Sequence, residues 1–68
     1  MIYILQSDPR GNVSSVGIVG INISIPFDPA NTDYQQFKIQ VADGTPLEDP
    51  DGNVMTQAEV NAFLETIP

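Results

Sequence analysis

Residues 21–44, which read INISIPFDPANTDYQQFKIQVADG, decide the fold because they contain one strand, one break and one helix. At the start of this stretch polar residues alternate with the apolar residues Ile21, Ile23, Ile25 and Phe27. A period of two places alternate side chains on opposite faces, so the pattern predicts a half-buried strand over 21–27. Pro26 cannot donate a hydrogen bond to a neighbouring strand, which indicates a strand end or an edge position.

A helix is predicted over 32–43, directly after the turn-forming pair Asp28-Pro29. Thr32 and Gln35 have the spacing of a capping box, in which the two side chains satisfy unpaired amides at the helix start. Gly44 is a natural stop for the helix. One face of this helix is apolar and carries Tyr34, Phe37 and Val41.

The chain before residue 21 is predicted to form two further strands, over 2–6 and 13–19. Both are short runs rich in β-branched or aromatic residues, and the connections between them are short enough for hairpins. Gly17 and Gly20 mark either a bulge or the turn into the strand over 21–27. The first part of the chain therefore predicts a three-stranded antiparallel meander.

A turn-rich loop over 44–55 and a second helix over 57–66 complete the chain. Leu47 and Val54 have the spacing to flank a small hairpin. The residues from Thr56 to Glu59 form a second capping box, and the helix that follows has an apolar stripe of Val60, Phe63, Leu64 and Ile67. The sequence therefore predicts a single small α+β module: an antiparallel sheet of three to four strands with two short helices.

Composition limits the function classes. The chain of 68 residues has nine acidic and two basic residues, no cysteine and no histidine, and a net charge of −7. Such a chain is poorly suited to nucleic acid or to anionic membranes. It has no apolar run near the roughly 20 residues that span a bilayer, and its first residues lack the basic start of a signal peptide. We therefore expect a protein that stays where it is made or joins an assembly there.

Stability of so short a chain is expected to be marginal, because it buries only about 60% of the surface that its unfolded form exposes. Without cysteine or histidine there is no disulfide or zinc site to stabilise it. Either good packing or a partner that completes the core has to provide the stability that a disulfide or a zinc site would otherwise give. The sequence leaves open whether the chain folds alone.

The residues offer no catalytic apparatus. Without histidine or cysteine the common nucleophilic triads are excluded, and we expect no catalytic residue, cofactor, metal site or small-molecule substrate. Asp49, Asp51 and Asn53 have the spacing that opens a calcium loop. However, Val54 stands where that loop needs glycine and Val60 where it needs glutamate. An ordinary acidic turn is therefore favoured, with adventitious cation binding left open.

Two segments resemble proteins of tailed bacteriophages. Residues 25–37, IPFDPANTDYQQF, resemble a stretch of many small phage proteins, tail-fibre assembly and other tail-associated proteins among them, in which IP-x-DP-x-N-x-DYQ leads into a helix. A G-x-x-P segment often follows there, and residues 44–46, GTP, are similar to it with the proline one residue early. Residues 56–60, TQAEV, are similar to a helix start near the end of some phage tail proteins. The resemblance implies a phage-encoded accessory protein without catalytic residues.

We therefore expect a non-enzymatic phage structural or assembly protein, made in the host cytoplasm and built into the virion. Its expected partner is a larger virion protein of the tail, neck, fibre or capsid, bound in multiple copies. Strand addition by residues 2–5 or 21–27 is one means of contact. The candidate interface residues are Ile21, Ile23, Ile25, Phe27, Tyr34 and Phe37, of which the aromatic ones are suited to anchoring.

An alternative function is that of an acidic intracellular inhibitor, which binds a basic surface of a host enzyme during infection. The charge of −7 on so few residues favours it. Salt separates the two hypotheses, because charge-driven binding weakens with ionic strength whereas an apolar interface hardly changes. An enzyme is the least favoured of three classes, since the residues of common active sites are missing.

Overall fold

The sheet and helices lie in residues 1–67, the part of the chain that the computed structural model describes. The elements are β1 (Tyr3–Ser7), β2 (Val13–Ile18), β3 (Ile21–Pro26), α1 (Thr32–Ala42), β4 (Leu47–Glu48) and α2 (Gln57–Leu64). The strands form one sheet in the order β3-β2-β1-β4. Four strands and two helices in this arrangement confirm the predicted small α+β fold.

The predicted elements overlap the observed ones, with boundaries that differ by one or two residues. β3 ends at Pro26, so Phe27 lies outside the strand. The Pro26 carbonyl accepts a hydrogen bond from the amide two residues further on, at 2.9 Å, and this turns the chain away from the sheet. α2 ends at Leu64, because the amide and hydroxyl of Thr66 both donate to the Phe63 carbonyl and close the last turn.

The fourth strand runs parallel to β1, so the sheet is mixed rather than wholly antiparallel. Tyr3 pairs with Leu47 in this parallel register. The direction follows from the connection: α1 carries the chain from β3 across to the opposite edge, and a helical crossover brings the next strand back in the same direction. The chain then reverses as predicted, since Glu48 forms an antiparallel bridge to Val54 and the Met55 amide donates to the Leu47 carbonyl at 2.8 Å.

The same five-residue turn, D-P-x-G-N, occurs at 8–12 and 49–53. In the first copy the Gly11 amide donates to the Asp8 carbonyl at 2.9 Å, and the Asp8 amide donates to the Asn12 carbonyl at 2.8 Å. The second copy repeats both bonds at the same distances. The glycines have φ of 86° and 92°, as a tight turn followed by a left-handed residue requires. One turn connects β1 to β2, and the other connects β4 to the residues that bridge it.

α1 begins at Thr32 as predicted, but its capping residue differs from the prediction. Asn31 is the N-cap: its side-chain oxygen accepts a hydrogen bond from the Tyr34 amide at 3.1 Å. The Gln35 side-chain nitrogen donates to the Pro29 carbonyl, whereas a capping box requires this side chain to accept from the amide of the N-cap, so the predicted Thr32 capping box is wrong. Asn31 and Thr32 are both good capping residues, and asparagine ranks at least as high.

The predicted stop of α1 and the predicted capping box of α2 are both present. After α1, Gly44 has a φ of 109°; its amide donates to the Val41 carbonyl and the next amide to the Gln40 carbonyl, a paired C-terminal cap. At α2 the capping box is present in both directions. The Glu59 amide donates to the Thr56 hydroxyl at 3.2 Å, and the Thr56 amide donates to the Glu59 carboxylate at 2.9 Å.

The core lies between the sheet and the helices. Its buried residues are Tyr3, Leu5, Val16, Ile25, Tyr34, Phe37, Val41, Leu47 and Val60. The three from α1 form the apolar face predicted for that helix, and the stripe of α2 packs against the same cluster. The rings of Tyr3 and Phe37 meet edge to face, with centroids 5.1 Å apart. The Tyr3 hydroxyl donates to the Gln40 side-chain oxygen, which gives the buried ring a polar partner.

Candidate interaction surface

β3 is an edge strand that pairs on one side only, with β2. At the opposite edge of the sheet the short strand β4 is bridged by Val54. Within residues 1–67, β3 therefore presents the longest open edge of the sheet. An edge of this kind exposes unpaired amides and carbonyls that accept a further strand.

The pairing of β3 with β2 is interrupted by a bulge. Val16 lies opposite Ile25, but two residues further along β2, Ile18 lies opposite Ile21. β3 therefore holds two more residues than β2 between these pairs, and residues 22–24 lie opposite Gly17 alone. The sequence offers Gly17 as a candidate for such a bulge, and the irregularity falls at that residue.

Gln6 bridges the bulge from the neighbouring strand β1. Its side-chain nitrogen makes a long hydrogen bond, 3.5 Å, to the Ile23 carbonyl. Its side-chain oxygen accepts from the hydroxyls of Ser15 at 2.9 Å and Ser24 at 2.8 Å. Gly17 leaves room for it, since a Cβ there would lie 2.6 Å from the Gln6 nitrogen. One side chain therefore connects three strands.

The Ile23 carbonyl lies against β2, close to Gly17 and to the Gln6 side chain, and is therefore turned away from the open edge. Pro26, the last residue of β3, has no N–H to donate, as is usual for proline at an edge strand.

The predicted interface residues of β3 divide into exposed and buried ones. Ile21 is 59% exposed and Ile23 37%, and Val19 beside them is 46% exposed. Ile25, next to the turn into α1, is buried in the core. The expectation of one uniformly buried face is therefore wrong for the half of β3 nearest the β2–β3 turn.

The predicted aromatic anchors lie in the core. Tyr34 and Phe37 have no exposed surface, and neither ring can contact a partner in this fold. Phe27 is half-buried, with its ring centroid 5.3 Å from that of Tyr34 and 6.3 Å from that of Phe37. An anchoring role for Tyr34 and Phe37 is therefore wrong, because their helix turns this face towards the sheet.

Strand addition through residues 2–5 is excluded as well. β1 is an inner strand, paired with β2 on one side and with β4 on the other. Tyr3 and Ile4 are therefore paired on both sides, and the open edge of β3 is the strand-addition candidate that remains.

Charge is distributed unevenly over the chain. Residues 11–27, which form β2 and β3, contain no charged side chain. Eight of the nine acidic residues follow residue 27. In that part the cation Lys38 lies over the Tyr34 ring, 5.4 Å from its centroid. The open edge of β3 is thus an uncharged strip on an acidic molecule.

The acidic loop after β4 is a hydrogen-bonded turn. One oxygen of the Asp49 carboxylate accepts from the amides of Asn53 and Asp51, both at 2.9 Å. These amides hold the pKa of Asp49 below its usual value. Within residues 1–67 no cluster of three acidic, histidine or cysteine side chains is placed to hold a metal ion, and no pocket is present. In the same residues, neither helix has the length and apolar character to cross a membrane.

Comparisons with known proteins add no relative: no family model matches the sequence, and no curated protein or solved structure matches it significantly. The functional argument therefore depends on the surface described above and on the resemblance of residues 25–37 and 56–60 to phage tail-associated proteins.

Proposed function

We propose that this chain is a non-enzymatic structural or assembly protein of a tailed bacteriophage, which binds a larger virion component and is present in several copies. The observation that carries the proposal is the open edge of β3, with Ile21 and Ile23 exposed beside it. The resemblance of residues 25–37 to phage tail-associated proteins is the reason for proposing a bacteriophage virion as the place where the chain acts.

The chemistry of this edge favours a protein as the partner. Sheet edges in monomeric proteins are commonly protected by charged side chains, by bulges or by proline. β3 has a bulge and ends at Pro26, but residues 11–27 carry no charged side chain, although the chain as a whole is highly charged. A protein strand or loop offers both the backbone hydrogen bonds and the apolar cover that the exposed isoleucines lack.

A second candidate function is inhibition of a host enzyme through a basic surface. It is favoured by the concentration of eight acidic residues after residue 27. Binding of this kind would use the surface formed by α1, α2 and the loop before α2. Its affinity would fall steeply as salt is added, because screening weakens contacts between exposed charges.

Quantitative mass spectrometry of purified particles tests the proposal. Particles of the phage that encodes this chain are purified, washed at low and at high salt, and the chain is measured relative to the major capsid protein. We expect a fixed ratio that survives the high-salt wash. Absence from both particles and assembly intermediates would overturn the virion proposal. Capture of a host enzyme that is lost on raising the salt would establish the second candidate instead.

The same experiment with two variants localises the contact. Ile23→Lys places a charge on the open edge, whereas Ile39→Lys places it on the outer side of α1, where Ile39 is 62% exposed. We expect the first variant to be incorporated several-fold less and the second to be incorporated normally. Equal incorporation of both would remove the edge of β3 from the proposal.

A further inference from the structure

We infer that the β2–β3 hairpin has a second register, in which the part of β3 next to the turn slides by two residues and the bulge disappears. In this regular register Ile23 takes the place that Ile21 now has, opposite Ile18. The inference rests on the proposed function in one respect: the regular register is the form of β3 that admits a partner strand.

The pairing of β3 with β2 contains both registers side by side. Near the core Val16 lies opposite Ile25, and counting on from this pair along both strands brings Ile18 opposite Ile23. Next to the turn, however, Ile18 lies opposite Ile21, so the pairing has moved by two residues. The bulge is the place where one register passes into the other.

The sequence of β3 fits the two registers equally well. Isoleucine stands at every second position of residues 21–25, so a slip by two residues puts one isoleucine where another was. Side chains keep their faces in such a slip, whereas a slip by one residue would turn each of them over. Backbone directions are kept as well. The Val19 amide donates to the Ile2 carbonyl on the β1 side at 2.8 Å, so alternation directs the backbone groups of Ile18 towards β3 in either register.

The exchange of one isoleucine for the other costs little apolar burial. Ile21 and Ile23 are both exposed, so neither gives up a place in the core. Ile25 is buried, but it keeps its partner Val16 in both registers. The core is therefore the same before and after the slip.

The turn of the bulged register is of a type that suits a hairpin poorly. Val19 and Gly20 form a two-residue turn in which only Gly20 has a positive φ, 86°, as in a type II turn. Such turns splay the strands that they connect, because their twist does not match that of the strands. The regular register replaces this turn by a four-residue one over 19–22, a length that is common in hairpins.

Gln6 and Gly17 favour the bulged register. The Gln6 side-chain nitrogen reaches the Ile23 carbonyl only while Ile23 lies in the bulge, because in the regular register that carbonyl turns to Ile18. Gly17 permits this contact, since the carbonyl oxygen lies 3.0 Å from the position of a Cβ there. The Gln6 oxygen accepts from Ser15, whose place on β2 is the same in both registers. The side-chain nitrogen of Gln6 is therefore the group that selects the bulged register.

The two registers differ in what they offer to a partner. A bulge turns an edge strand away from further pairing and is one of the ways in which sheet edges are protected. In the regular register residues 23–26 pair with β2 without interruption and present a continuous edge. A partner strand that binds this form alone has its apparent affinity reduced by the fraction of chains in that form. The bulge thus guards the edge in the free chain.

Gln6→Glu tests which group selects the register. Glutamate keeps an oxygen that accepts from Ser15 and Ser24, but it cannot donate to the Ile23 carbonyl. Gln6→Met also lacks the donor and carries no charge. Ser15→Ala is the matched control, because it removes a bond of the same side chain without favouring either register. NMR relaxation dispersion of the free chains measures the population of a minor state that exchanges in microseconds to milliseconds.

We expect exchange confined to residues 17–25, with the minor state about fivefold more populated in Gln6→Glu and Gln6→Met, as the loss of one hydrogen bond predicts. Ser15→Ala leaves the population unchanged. Nuclear Overhauser contacts identify the state: Ile18 contacts Ile23 in the regular register and Ile21 in the bulged one. Absence of exchange at these residues, or equal populations in all the chains, would overturn the inference.

Competition for places in the particle tests whether the regular register is the form that binds. The unsubstituted chain and Gln6→Glu are produced together during infection, and mass spectrometry measures their ratio in the lysate and in purified particles. We expect Gln6→Glu to be enriched several-fold in the particles. The same ratio in both would refute a guarding role for the bulge. Absence of both chains from particles would overturn the proposed function instead, and the registers of the free chain are measured without particles, so the two proposals fail separately.

Discussion

Substitution of Gly17 by alanine tests whether Gln6 holds the bulge in β3. The added Cβ would lie 2.6 Å from the Gln6 side-chain nitrogen and 3.0 Å from the Ile23 carbonyl oxygen. Carbon atoms do not approach so closely, and the backbone at Gly17 has no positive φ that would strain alanine by itself. The Gln6 side chain therefore has to move, and the cost of the substitution is the cost of moving it.

The magnitude follows from the bonds that Gln6 makes. A half-buried hydrogen bond to Ser15 and two exposed ones, to Ser24 and to Ile23, together stabilise the fold by about 2 kcal/mol. Alanine recovers about 0.5–1 kcal/mol, because glycine loses more backbone entropy in a strand. We expect a net loss of about 1–1.5 kcal/mol, against a total of roughly 3–10 kcal/mol for a chain of this length. The melting temperature falls by about 4–12 °C.

A double-mutant cycle distinguishes this account from a general loss of packing. The free energy of unfolding is measured by urea titration for the wild type, Gly17→Ala, Gln6→Ala and the double variant. Once Gln6 is truncated, the methyl group that Gly17→Ala adds meets only the Ile23 carbonyl, so this substitution becomes nearly neutral. The two substitutions therefore couple by about 1–1.5 kcal/mol. Additivity within about 0.5 kcal/mol would refute the bridging role of Gln6.

Three further results are expected. Asn31→Ala lowers the free energy of unfolding by about 1 kcal/mol, whereas Thr32→Ala changes it little, because Asn31 supplies the cap of α1; chemical denaturation of the pair decides between them. Phe37→Ala costs about 3–5 kcal/mol, a large part of the total stability of so short a chain, and thermal unfolding followed by circular dichroism measures the loss. Burial raises the pKa of Tyr3, with a contribution from a nearby aspartate, and raises that of Tyr34 above the ordinary 10.0. Both phenols ionise more readily when unfolded, so stability is retained below pH 10 and falls as the pH rises through the folded-state pKa values, which alkaline melting curves measure.

Local patterns in the sequence were sufficient for the elements of the fold. Alternation predicts β3, and a repeat of three to four residues predicts the face of α1 that carries Tyr34, Phe37 and Val41. The Thr56 capping box and the stop at Gly44 need only neighbouring residues. Each of these features depends on interactions within a few residues along the chain, and such interactions are what a single sequence displays.

Features that depend on packing between distant segments were not predictable. Whether Ile21 is covered depends on how far the helices extend over the sheet. The alternation of apolar and polar residues in β3 does not indicate how much of the sheet the helices cover. The parallel direction of β4 follows from the crossover of α1. Gln6 carried one usable signal, a long polar side chain inside an otherwise apolar strand, but its partners Ser15 and Ser24 become neighbours only through the register of the sheet.

The role proposed for Tyr34 fails for a reason that the sequence already contained. The spacing that joins Tyr34 to Phe37 and Val41 assigns all three to one face, and a short helix has one face to bury. A tyrosine on that face belongs to the core, and its hydroxyl does not change this as long as it is hydrogen-bonded.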